Sequence, residues 1–118
     1  MWINESALKE NKTVENLSFI FCSDDFLLKI NNKYLNHDFY TDVISFDYSE
    51  QNLVSGDIYI SIDRVKENSR KFGCTVKDEL HRIIIHGILH LFGYSDKTPE
   101  QKAIMKDKED FYLSLRAF

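Results

Sequence analysis

His86 and His90 stand four residues apart in the stretch from His86 to Phe92, where every other residue is apolar or glycine. Each helical residue turns the chain by about 100°, so positions four apart project from one face and both imidazoles can reach a single metal ion. Gly93 follows, a residue suited to the left-handed turn that ends a helix and reverses the chain. That reversal brings Asp96 back towards the same ion. Two histidines and one carboxylate fill three positions of a tetrahedral zinc ion and leave the fourth for water, the arrangement of catalytic rather than structural sites. The pattern therefore predicts one Zn2+ held by His86, His90 and Asp96, in a hydrolase. An ion so held polarises a phosphoryl oxygen and lowers the pKa of a bound water towards ~7. The competing reading makes the histidines satisfied core residues and Asp96 the cap of a turn. Against it, unpaired imidazole is costly on a buried apolar helix.

The order HxxxHxxGxxD is also that of metzincin-type metalloproteases, which carry a general-base glutamate directly after the first histidine. Gly87 occupies that place, so peptide hydrolysis by that route lacks its base. The segment HGILHLFGYSD resembles the signature of the YbeY family of bacterial rRNA-maturation endoribonucleases, approximately HGxLHLxGYDH. Upstream, Asn31, Tyr34, Asp38, Thr41-Asp42-Val43, Ser45-Phe46 and Gly56-Asp57-Ile58 resemble that family's second block. The resemblance spans the chain from about Asn31 to its C-terminus. It implies a zinc-dependent, single-strand-specific endoribonuclease that matures the 3′ end of 16S rRNA and serves ribosome quality control, with ribosomal RNA and ribosomal particles as partners. Three positions depart from the family pattern. Asp96 replaces a histidine, which lowers the net charge of the site and predicts a higher pKa for the bound water. Leu35 replaces an arginine, removing a phosphate contact. Tyr40 replaces a proline.

Three further residues are candidates for the chemistry. Asp42, from the matched upstream block, and Glu79, two helical turns before His86 on nearly the same face, are candidate bases or supports for the metal ligands. A surface or capping role is the alternative for each. Arg82, one turn before His86, is a candidate phosphate contact, with an ordinary surface ion pair as its alternative. Arg64, Lys66, Arg70 and Lys71 are interleaved with Asp63 and Glu67, the pattern of a solvated face more than of an RNA track. His37 and His81 are not expected as ligands, His37 being the nearer to an exception. Tyr94 and Phe46 could stack on bases, with core packing the better expectation for Phe46.

These side chains need a rigid frame. Leu17 to Cys22, Val43 to Tyr48 and Asp57 to Ser61 are rich in β-branched and aromatic residues and predict three strands. Ser23-Asp24-Asp25 offers an N-cap for a helix carrying Phe26, Leu27, Ile30 and Tyr34. A helix over about 62–72 closes at Gly73. Thr75, with Asp78 three residues on, resembles a capping box opening a helix to about Phe92. Two apolar stripes run along that helix, Leu80, Ile83, Ile84, Ile88 and Leu91 beside Ile85, Leu89 and Phe92, so it is buried. Thr98-Pro99-Glu100-Gln101 opens a last helix reaching about Leu115. The expected fold is α+β: a small mixed sheet packed by several helices, with a buried central helix carrying the HxxxH pair.

The 118 residues suit one domain, 1–118, and 43% hydrophobic residues suffice for a core without disulfides. Two cysteines in no CxxC spacing predict reduced thiols in the cytoplasm. The start MWINESALKENK does not read as a secretory signal, and the run around His86 is too short and interrupted to span a bilayer. A net charge of −4 gives no general attraction to nucleic acid. A monomer is the default expectation. Two functional alternatives stay open: a ribosome-assembly factor with structural zinc, and a metal-dependent hydrolase of peptides or small substrates.

Overall fold

The computed structural model describes residues 2–36 and 40–117. His37 and Asp38, singled out above, lie outside the described residues. The elements run α1 (Trp2–Lys9), β1 (Thr13–Cys22), α2 (Asp24–Leu35), β2 (Val43–Asp47), β3 (Leu53–Ser61), α3 (Ile62–Phe72), α4 (Val76–Leu91) and α5 (Pro99–Ser114). The sheet has the order β1-β3-β2, with β1 parallel and β2 antiparallel to the central β3. This is the expected α+β fold with a mixed sheet.

Strand periodicity sorts the two faces of the sheet. In β3, Val54, Gly56, Ile58 and Ile60 are buried in alternation, and α4 packs on their face, since Gly87 lies against Ile58 and Ser45. The opposite face carries Phe46 and Tyr59, in edge-to-face contact at 5.7 Å, and α2 covers it through Tyr34, 5.8 Å from Phe46. Phe46 therefore has the packing position expected of it. Burial of Ile83, Ile85, Ile88, Leu89 and Leu91 makes α4 the central helix. The apolar area it removes from water, at roughly 25 cal/mol per Å2, is what holds the histidine-bearing turns rigid.

Caps define the helix starts, at Ser23, Thr75 and Thr98 as the side chains predict and at Ser61 besides. Ser23, Ser61 and Thr75 each accept from the third residue on, and Thr98 with Gln101 forms both halves of a capping box. Only the Thr75 half of the expected Thr75–Asp78 box is formed; Asp78 instead pairs with Arg116 at 3.1 Å. The strands are longer at their N-terminal ends than composition indicates. Thr13–Asn16 and Leu53–Gly56 mix apolar residues with polar ones and a glycine, and they extend because β1 and β3 satisfy each other's backbone groups. α1 has no counterpart among the sequence expectations. It docks through buried Trp2, whose indole Nε1 donates to the Tyr112 carbonyl at 2.6 Å.

Candidate metal centre

The helix periodicity of α4 sets His86 and His90 side by side, ring centroids 4.6 Å apart. Gly93, at φ +107°, then takes the left-handed conformation that turns the chain, with the Tyr94 amide donating back to the Leu89 carbonyl at 3.0 Å. Two groups arrive with this reversal. The Tyr94 carbonyl reaches His90 Nδ1 at 2.9 Å, and the Asp96 carboxylate reaches the Nε2 atoms of His86 and His90, each at 3.4 Å.

The protonation pattern follows from the partners. His90 Nδ1 faces a carbonyl and His86 Nδ1 faces the Glu109 carboxylate at 2.7 Å, both acceptors. Each Nδ1 therefore carries the hydrogen, and in the neutral rings each Nε2 carries a lone pair. Those two Nε2 atoms are 3.0 Å apart. Two lone pairs and a carboxylate oxygen thus meet in a triangle of 3.0, 3.4 and 3.4 Å. Ligands bonded tetrahedrally at 2.0–2.2 Å stand about 3.3–3.6 Å from one another. The donor set, with two of its three separations inside that range, fits a cation, and among the described residues this is the one such group of histidine, cysteine and acidic side chains.

The triangle opens into a cleft of about 630 Å3, whose lining includes Asp42, Ser45, Asp47, Leu35 and Lys97. Strand alternation supplies Ser45 and Asp47 from the face of β2 that meets α4. Burial pushes the Asp42 carboxyl up, and the nearby His86 only partly offsets this. Lys97 is the single cation among the described lining residues, and Leu35 stands at the rim.

Other sequence candidates lie elsewhere. Arg82 turns away from the cleft and pairs with Glu109 and Asp110, at 3.1 and 3.2 Å. The ion-pair alternative is thus the arrangement it adopts. Glu79 is buried, 3% exposed, and accepts from the Cys74 thiol; it does not line the cleft. Burial raises its pKa. His81 rests against Trp2 and Arg116. Arg64 is held by Asp24 and Glu67.

Glu109 is the residue that sequence reasoning missed. One oxygen takes the His86 Nδ1–H and the other takes Arg82. Burial alone would lower the His86 pKa, but this hydrogen bond and the carboxylates of Glu109, Asp96 and Asp42 leave it raised. A signal was available: Met105, Glu109 and Tyr112 form one buried stripe of α5, and a glutamate in such a stripe needs partners.

Gly87 explains an absence. A Cβ there would lie 3.0 Å from Ile58 Cγ2 and 3.1 Å from Ser45 Oγ. The helix meets the sheet at this point, so a side chain in the place of the metzincin glutamate would need Ile58 and Ser45 to give way by a few tenths of an ångström.

Comparison with known proteins places these features. Residues 2–116 match the family model described as Endoribonuclease YbeY. A protein named Endoribonuclease YbeY from Cytophaga hutchinsonii is 54% identical over 118 residues, covering 99% of this chain and 82% of that one. Its namesake from Karelsulcia muelleri is 56% identical over 112 residues, 95% of this chain and 79% of the other. A solution structure from Thermotoga maritima superposes with a TM-score of 0.69 at 33% identity, covering 96% of this chain and 75% of that one.

Proposed function

The chain belongs to the Endoribonuclease YbeY family, enzymes that hydrolyse RNA, and from that membership we propose that it is a zinc-dependent endoribonuclease for single-stranded RNA. Its role in this reading is maturation of the 3′ end of 16S rRNA in the cytoplasm. The observation that carries the metal requirement is the convergence of His86 Nε2, His90 Nε2 and Asp96 Oδ2, with both Nδ1 atoms already committed to acceptors.

The residues divide the work. His86, His90 and Asp96 hold the ion, and Glu109 and the Tyr94 carbonyl fix the two imidazoles in the Nδ1–H form that frees each Nε2. When bound, the ion supplies Lewis acidity to a phosphoryl oxygen and to water. Asp42, in the cleft and with a raised affinity for protons, is placed to accept one from the attacking nucleophile. Glu79 and Arg82, turned from the cleft, support α3, α4 and α5 rather than touch substrate. The peptidase alternative is weakened by glycine in place of the general-base glutamate, at a position tight against Ile58 and Ser45.

The test is cleavage of a single-stranded RNA by purified protein with and without chelator, beside His86→Ala and metal analysis of Asp96→Ala. We expect cleavage lost on chelation and in His86→Ala, and zinc content sharply reduced in Asp96→Ala. Cleavage that survives chelation, or full zinc occupancy in Asp96→Ala, would overturn the assignment.

A further inference from the structure

Glu10 lies just past α1, more than seventy residues before the metal motif, yet its carboxylate is tied to that motif. It accepts from the Tyr94 hydroxyl at 2.6 Å, from Lys108 Nζ at 3.0 Å and from the Tyr112 hydroxyl. Tyr94 belongs to two assemblies at once: its side chain is fastened to Glu10, and its backbone carbonyl holds His90 Nδ1 at 2.9 Å. Asp96 follows two residues later on the same irregular segment between α4 and α5. Gly93 and Ser95, its neighbours on either side of Tyr94, are exposed. The segment has no ladder of its own; beside the Tyr94 amide bond to Leu89, the Tyr94 ring is what anchors it between the turn and the carboxylate ligand.

We infer that Glu10 is a positioning residue for the metal site: by fixing the Tyr94 ring it holds the Tyr94 carbonyl on His90 and the Asp96 carboxylate over both imidazoles. The inference rests on the metal-site reading above. Partners one step outside the ligands typically change metal affinity by about 10–100-fold, and Glu10 acts through one of these.

Tyr94→Phe isolates the link, because it removes the hydroxyl and keeps both ring and carbonyl. Tyr112→Phe is the control: it removes another donor to the same carboxylate but leaves the metal loop's own contact intact. Zinc affinity is read by chelator competition, the coordination geometry by the Co2+ ligand-field spectrum, and folding by thermal melts. Tyr94→Phe should weaken zinc binding about tenfold and alter the Co2+ spectrum. Tyr112→Phe should lower the melting temperature at least as much while zinc affinity stays within about twofold of wild type. Glu10→Ala, which removes the acceptor itself, should follow Tyr94→Phe. Unchanged affinity in Tyr94→Phe, or an equal loss in Tyr112→Phe, overturns the inference while leaving the metal site standing. A wild-type protein that binds neither zinc nor cobalt overturns both.

Discussion

Glu109 and Glu10 are two carboxylates enclosed between helices, each shared by several donors, and α5 serves both. Glu109 itself faces α4, while Lys108 and Tyr112, one residue before and three after it, face Glu10. The first network joins an imidazole to a guanidinium; the second joins two phenols and an ammonium. Burial pushes the Glu10 carboxyl up, but hydrogen bonds from Tyr112, Tyr94 and Lys108 outweigh it and hold its pKa below the ordinary 4.5. The same arrangement pushes the Tyr112 hydroxyl up, through burial and then through Glu10. One carboxylate thus sits directly behind a candidate ligand, and the other clamps the loop that carries the remaining parts of the site. A helix with a weak apolar stripe can therefore organise a reactive centre by presenting charge on two adjoining faces.

The sharpest way to break this contrast is at Glu109. Glu109→Ala removes the acceptor behind His86 and leaves Arg82 with Asp110 alone. Zinc affinity should fall towards ~100-fold, with a stability loss of about 1–3 kcal/mol, read by chelator competition and denaturant melts. Glu109→Gln keeps an acceptor for the Nδ1–H and should lose nearer tenfold. Equal effects of the two variants would mean that charge, not tautomer, is what the residue supplies.

Glu10 is expected to show itself through acid stability. Its folded pKa is depressed, so its stabilisation is present above the unfolded value and is lost as pH falls through the folded one. Glu10→Gln should therefore cost about 1–2 kcal/mol at neutral pH and flatten the acid limb of the stability curve. A limb as steep as that of wild type would place the acid sensitivity elsewhere. The smallest change is expected from Arg82→Lys. Both carboxylates meet Arg82 at its single Nη1, a bridge that one ammonium can also make, so zinc affinity should shift only on the order of twofold. A loss matching Glu109→Ala would make Arg82, not the carboxylate, the critical member of that network.

Much of this was legible from spacing. The four-residue interval of His86 and His90, the helix-ending Gly93 and the three-residue step to Asp96 are local relations, and helix and turn geometry convert them directly into proximity. The caps at Ser23, Thr75 and Thr98 and the C-terminal glycine of α3 are equally local. The alternation of β3 and the apolar girth of α4 were enough for the fold class. Boundaries of β1 and β3 were not, because their first residues become strand only through pairing with each other.

What tertiary structure alone decided is which side chains stand behind the ligands. His86 and Glu109 are twenty-three residues apart and Glu10 and Tyr94 are eighty-four apart, so no periodicity relates them. Their meeting depends on how α1 and α5 pack against α4, which is settled by burial summed over many contacts rather than by any short pattern. The same packing turned Arg82 from a candidate phosphate contact into an ion-pair partner, and set Gly87 tightly against the sheet. Sequence determined the three converging atoms, because local backbone geometry suffices to place them. The fold determined their protonation and their support, because those depend on acceptors delivered from distant parts of the chain.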